Sequence, residues 1–193
     1  MLRKGLFVIA AMIFAIGILT TSVLHTSAQT SSDSYKVQAV VSPVPVQETS
    51  KPVDYFLAYP GMLPDQFIYP VKMLRDKIWL FLTTDPSKRA DLLLLNADKR
   101  IMAAKLLSDK GEFDLSITTA TKAEKYLEEA VNTSKEAKKD AAYWNHLYQA
   151  TLKHEEVLLQ MEKAVDDPGK AKIEQILEYP RRLRLQITQL QAQ

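Results

Sequence analysis

Beyond residue 28 the chain holds only three glycines, Gly61, Gly111 and Gly169, and its apolar residues recur at three- and four-residue steps. That spacing builds helix faces and leaves almost nothing for strands. Each glycine is expected where a turn is wanted. Two aspartate–proline pairs punctuate the pattern. An aspartate can accept from free backbone N–H groups at a helix start, and proline presets φ for the first turn. Asp85-Pro86 and Asp167-Pro168 therefore each predict a helix start.

Five segments follow from this punctuation. Pro70 suits the opening turn of a first helix ending near Leu82. Its stripe is Val71, Leu74, Ile78 and Phe81, widened by Met73, Trp79, Leu80 and Leu82. A helix apolar on most of its sides is expected to be buried on most of them. The second helix carries Ala90, Leu93, Leu94, Ala97, Ile101, Ala104 and Leu107 on one face and ends at Gly111. The third runs from about Asp114 to Ser134 on Ile117, Ala120, Ala123, Leu127, Ala130 and Val131. The short connection makes helices two and three an antiparallel hairpin. The fourth begins between Ser134 and Asp140 and ends near Val165, with Trp144, Leu147, Thr151, His154, Leu158 and Met161 on its stripe. The fifth follows Asp167-Pro168. Pro180 lies on its apolar face, which resumes in phase at Leu183 and Ile187, so a kink is favoured over a break. The fold class predicted is all-α, an antiparallel bundle of four to five helices.

The N-terminus says where such a bundle would work. Arg3 and Lys4 precede 19 uncharged residues, Leu6 to Leu24, and Thr26-Ser27-Ala28 is a small-residue stretch suited to signal peptidase. This is the order of parts in an export signal. Two fates stand open: cleavage after Ala28, or retention of residues 6–24 as a transmembrane anchor. Both put the rest of the chain outside the cytoplasm, in the periplasm or at the cell surface. With no cysteine in the chain, neither disulfides nor a lipid on a lipobox cysteine can contribute. Residues 29–58 read as an extended or disordered linker, interrupted by Pro43, Pro45 and Pro52. Thirty residues in a polyproline-like form would reach about 90 Å. Residues 59–193 form the expected domain. The segment after Ala28 has 23 basic and 23 acidic residues. That balance predicts no nucleic-acid partner and no strong pull toward anionic lipid.

The residues also limit the chemistry. His146 and His154 would lie about 12 Å apart along one helix, too far to share an ion. No Glu-x-x-His or His-Glu-x-x-His motif occurs. His154, beside Glu155, reads as a satisfied boundary histidine. Glu128-Glu129 and Glu155-Glu156 are sequence neighbours that cannot face each other on a helix, so they read as solvated. No nucleophile motif or glycine-rich phosphate loop is present. The expectation is no catalytic residue, no cofactor and no metal.

Two surface candidates remain. Tyr143, Trp144 and Tyr148, with His146, crowd the start of helix four; they read as core with a wet edge, or as an aromatic contact patch for a glycan or protein. Arg181, Arg182 and Arg184 follow Pro180; they read as a solvated face, or as a docking strip for an acidic partner or anionic envelope polymer.

Residues 60 to about 107 resemble a bacterial domain of unknown function found in exported or membrane-anchored proteins. The resemblance rests on Pro60-Gly61-Met62-Leu63-Pro64-Asp65, Tyr69-Pro70-Val71-Lys72, Arg75-Asp76-Lys77-Ile78, the run from Leu82 through Asp85-Pro86-Ser87-Lys88 to Leu94, and Ala97-Asp98-Lys99-Arg100. Trp79-Leu80-Phe81-Leu82 is more apolar than the family pattern, and helix two has more leucine than charge. The resemblance implies a helical exported domain and no activity. The leading expectation is a non-enzymatic module that contacts an envelope protein or cell-wall polymer, with the membrane as a further contact if the N-terminal segment is uncleaved. The alternatives are an enzyme or accessory acting on envelope polymer, and a small-ligand or metal-binding module.

Overall fold

Helix starts and stops occur where the local chemistry places them. A computed structural model describes residues 52–192, and the export segment and most of the linker lie outside the described residues. The described residues form α1 (Tyr69–Leu82), α2 (Pro86–Asp109), α3 (Phe113–Glu136), α4 (Ala141–Glu162) and α5 (Asp167–Gln191), and no strand occurs among them. Asp85 accepts from the Lys88 N–H at 3.0 Å with Pro86 at the first turn of α2. Asp140 caps α4 through the Tyr143 N–H at 2.8 Å. At α5 the cap is Asp166, which accepts from the Gly169 N–H at 3.0 Å, so Asp167 is already helical.

The glycines divide in function. Gly111 has φ +82° and closes the α2–α3 turn, where the left-handed conformation disfavours a side chain. Gly169 was expected in a turn and instead lies in the first turn of α5, buried. A Cβ there would come within 2.8 Å of the Val165 Cβ, so close approach requires the glycine.

Helices α2 and α3 pack along their lengths as a hairpin, and α4 and α5 form a second one. Two apolar layers join the hairpins. One unites Leu93, Leu94 and Ala97 of α2 with Leu127, Ala130 and Val131 of α3, Trp144 and Leu147 of α4, and Leu183 and Ile187 of α5. The other unites Ile101 and Ala104, Ile117 to Ala123, Val157 to Met161, and Ile173 to Leu177. Ala97, Ala104, Ala120, Ala123 and Ala130 are all fully buried, which lets the backbones approach closely. Helix α5 continues through Pro180 without a break.

Two expectations meet a different outcome. Residues 52–58, read as the end of the linker, lie against the bundle as an irregular strap: Tyr55 is buried, and Val53 and Leu57 pack on the core. Helix α1 was expected to be buried on most sides and has no buried residue. It turns Tyr69, Lys72, Met73, Asp76 and Leu80 partly inward and leaves Val71, Leu74, Ile78 and Phe81 exposed. The inward set repeats at helical spacing, so its polar members, not the apolar stripe, decide the orientation. Lys72 donates to the carbonyls of Pro60 and Met62, and Arg89 of α2 donates to the carbonyl of Leu80 at 2.9 Å.

Leu127 is fully buried in the first layer, a cluster that draws on all four long helices. Leu127→Ala is expected to lower the unfolding free energy by about 2–5 kcal/mol, read from urea denaturation.

Candidate functional site

Charged residues on apolar stripes set the internal geometry. Asp98 of α2 lies four residues after Leu94, Glu124 of α3 four after Ala120, and His154 of α4 four after Ala150, so all three project into the bundle. His154 is fully buried, not at a boundary. Its Nδ1 lies 2.8 Å from Glu124 Oε1 and its Nε2 3.2 Å from Asp98 Oδ1. Tyr55 of the strap donates to Asp98 Oδ2 at 2.7 Å. Both ring nitrogens face carboxylates, so the arrangement fits an imidazolium donating twice. Burial opposes that charge, but the Glu124 charge and the hydrogen bonds to Asp98 and Glu124 outweigh it and raise the His154 pKa to about 9. Burial first, and Asp98 next to it, push the Tyr55 phenol strongly up, so it stays a donor. In sequence this layer falls between the two apolar layers: Asp98 between Ala97 and Ile101, Glu124 between Ala123 and Leu127, His154 between Ala150 and Val157.

The arrangement ties α2, α3 and α4 together. Among the described residues no group of three or more His, Cys, Asp or Glu side chains is placed to hold a metal ion. No described helix is long and apolar enough to cross a membrane.

The surface residues read from the sequence fall into two separate settings. Trp144 is buried in the first apolar layer, and Tyr143 and Tyr148 pack partly buried against it. Lys139 lies 4.2 Å over the Tyr143 ring. Arg181 and Arg184 both bind Glu155, the first at 2.9 Å. Burial alone would raise the Glu155 pKa, but the two guanidiniums hold it below the usual range. Arg182 binds Glu128 at 2.7 Å and stacks near Tyr179. These arginines tie α5 to α4 and α3, and two of the four glutamates read as solvated, Glu155 and Glu128, are their partners.

The exposed apolar surface lies elsewhere, along α1. Val71 is 64 % exposed, Leu74 60 %, Ile78 50 % and Phe81 82 %, with Trp79 and Leu82 beside them and Phe67 just before the helix. Arg75 and Lys77 flank this stripe, while Asp76 points partly inward and binds Arg75 at 2.8 Å.

The family model described as a domain of unknown function, DUF5667, matches residues 61–168. The chain belongs to this family. No curated protein and no solved structure matches the chain. The DUF5667 region spans α1 to α4 and ends at the second residue of α5. It contains the α1 stripe, Asp98, Glu124 and His154, and leaves Tyr55 and the α5 arginines outside.

The apolar stripe of α4 shows His154 in sequence, but its partners lie on other helices. The signal was present: Asp98 and Glu124 are charged residues at stripe positions. The His154 pKa is raised, so its contribution to stability is complete below about pH 6.5 and is lost as the pH climbs through about 9. Urea unfolding across that window should show a decline of roughly 3 kcal/mol that is absent from His154→Leu. A wild-type curve with no larger decline than the variant's would contradict the charged layer.

Proposed function

We propose that this domain is a non-enzymatic interaction module that docks a partner protein along the outward face of α1. One observation carries the reading: a helix whose apolar stripe points to solvent while Lys72 and Asp76 point partly inward. Such a stripe is costly to leave in water, and contiguous exposed apolar surface of this kind marks interaction sites. The 71–74–78–81 spacing suits a second helix laid along it. The rim selects the partner. Arg75 and Lys77 would face their own copies in a self-pair, whereas an amphipathic helix with acidic flanks would complement them. The partner is therefore a protein bearing such a helix. Residues 3–28 support placing this encounter outside the cytoplasm, with an envelope protein.

The test is a photo-crosslinking residue at Ile78, compared with one at Leu185, which is 67 % exposed on α5. Position 78 should capture, through an acid-flanked amphipathic helix, a protein that position 185 does not. Ile78→Asp should weaken that complex at least about tenfold and change domain stability by no more than about 0.5 kcal/mol. Crosslinks only to lipid, only to another copy, or equally from Leu185 would defeat the reading.

A further inference from the structure

The side chain least accounted for in this fold is Arg100 of α2. It is 5 % exposed, yet among the described residues it has no carboxylate partner. Its Nε is buried with no hydrogen bond. Nη1 reaches the Asn96 carbonyl at 3.5 Å, the outer limit of a bond, and Nη2 meets only the Met73 thioether at 3.1 Å. The Tyr126 ring lies 4.2 Å from the guanidinium and offsets part of the missing charge compensation. An arginine cannot shed its proton, so burial does not relieve the deficit.

Arg100 lines a cleft between α1 and α2 with Lys72, Lys99, Asn96, Tyr69 and Asp76. Three cations thus stand against one carboxylate, and Arg75 already holds that carboxylate. Burial pulls the Lys72 pKa down; Asp76 offsets this in part, while Arg100, Lys99 and Arg75 deepen it. The cleft encloses about 10 Å³, space for one small group and not for a whole organic ligand.

We propose that this cleft binds a phosphate group, seated on the Arg100 guanidinium and flanked by Lys99 and Lys72. A guanidinium fork matches two phosphate oxygens, and a third oxygen remains for an ammonium group. A carboxylate has only two oxygens and would be exhausted by Arg100 alone. The phosphate can be free or a terminal monoester on a lipid headgroup, since both keep three free oxygens, whereas a diester has only two. The site is distinct from the outward face of α1, on the opposite side of that helix.

The experiment observes the arginine side-chain Nε–H signals of the full-length ¹⁵N-labelled protein in a neutral detergent. Inorganic phosphate is titrated against chloride at matched ionic strength. A saturable shift of the Arg100 signal with phosphate, weaker with acetate, is expected. Arg100→Met should abolish the response. Lys99→Gln, at a partly exposed position, should fold normally and weaken binding about two- to fivefold. Dihexanoyl phosphatidic acid, a monoester with three free phosphate oxygens, compared with the phosphatidylcholine analogue, a diester, separates the sources: tighter binding than phosphate assigns a lipid headgroup, and weaker binding assigns a free phosphate. No saturable Arg100 shift with either probe, or an equal response from acetate, would overturn the proposal.

Discussion

The fold depends on a charged layer placed between two apolar ones. His154 sits between Glu124 and Asp98, and three of the four long helices each supply one member. A buried ion group of this kind is poor evidence of net stability, since desolvation opposes its attraction, but breaking it leaves an uncompensated charge. Its stronger effect is on register. Sliding α2 or α3 by one turn would remove a carboxylate from a ring nitrogen and bury it without a partner, while the apolar layers alone would tolerate the slip. The fourth long helix has Pro180, buried, between its two layers, at Leu177 and Leu183. No charge is contributed there.

Local signals were legible and long-range ones were not. Asp85-Pro86 and the regular stripes of α2 to α5 locate four helices because capping and periodicity act within a few residues. The α1 stripe was also legible, but not its direction. Periodicity says which residues share a face and does not say what the face meets. That decision came from Lys72 finding the Pro60 and Met62 carbonyls, and from Arg89 reaching Leu80. The same limit hid the partners of His154, which lie 30 and 56 residues away. It also hid the strap, because nothing near Tyr55 in sequence announces Asp98.

Part of the balanced charge after the export segment is paired between elements. Arg182 meets Glu128, Arg89 meets Glu129, Lys139 meets Asp91 and Lys110 meets Asp65. Each exposed pair contributes little to stability. Together they commit part of the surface charge to contacts within the domain. Two places bear directly on recognition: the cationic rim of α1 and the buried guanidinium behind it. A neutral total therefore conceals two places of definite sign.

The strap gives the bundle an unusual response to tension. A pull applied to the chain ahead of Pro52 would first meet the Val53 N–H on Glu156 and the Tyr55 hydroxyl on Asp98. The second of these bonds ends on the aspartate that also faces His154. Mechanical force would thus arrive at the middle of the bundle and not at the end of a helix. Detaching Tyr55 leaves Asp98 Oδ2 without its donor while the helices are still assembled, so tugging on the N-terminal side would loosen the charged layer before it peeled away α1.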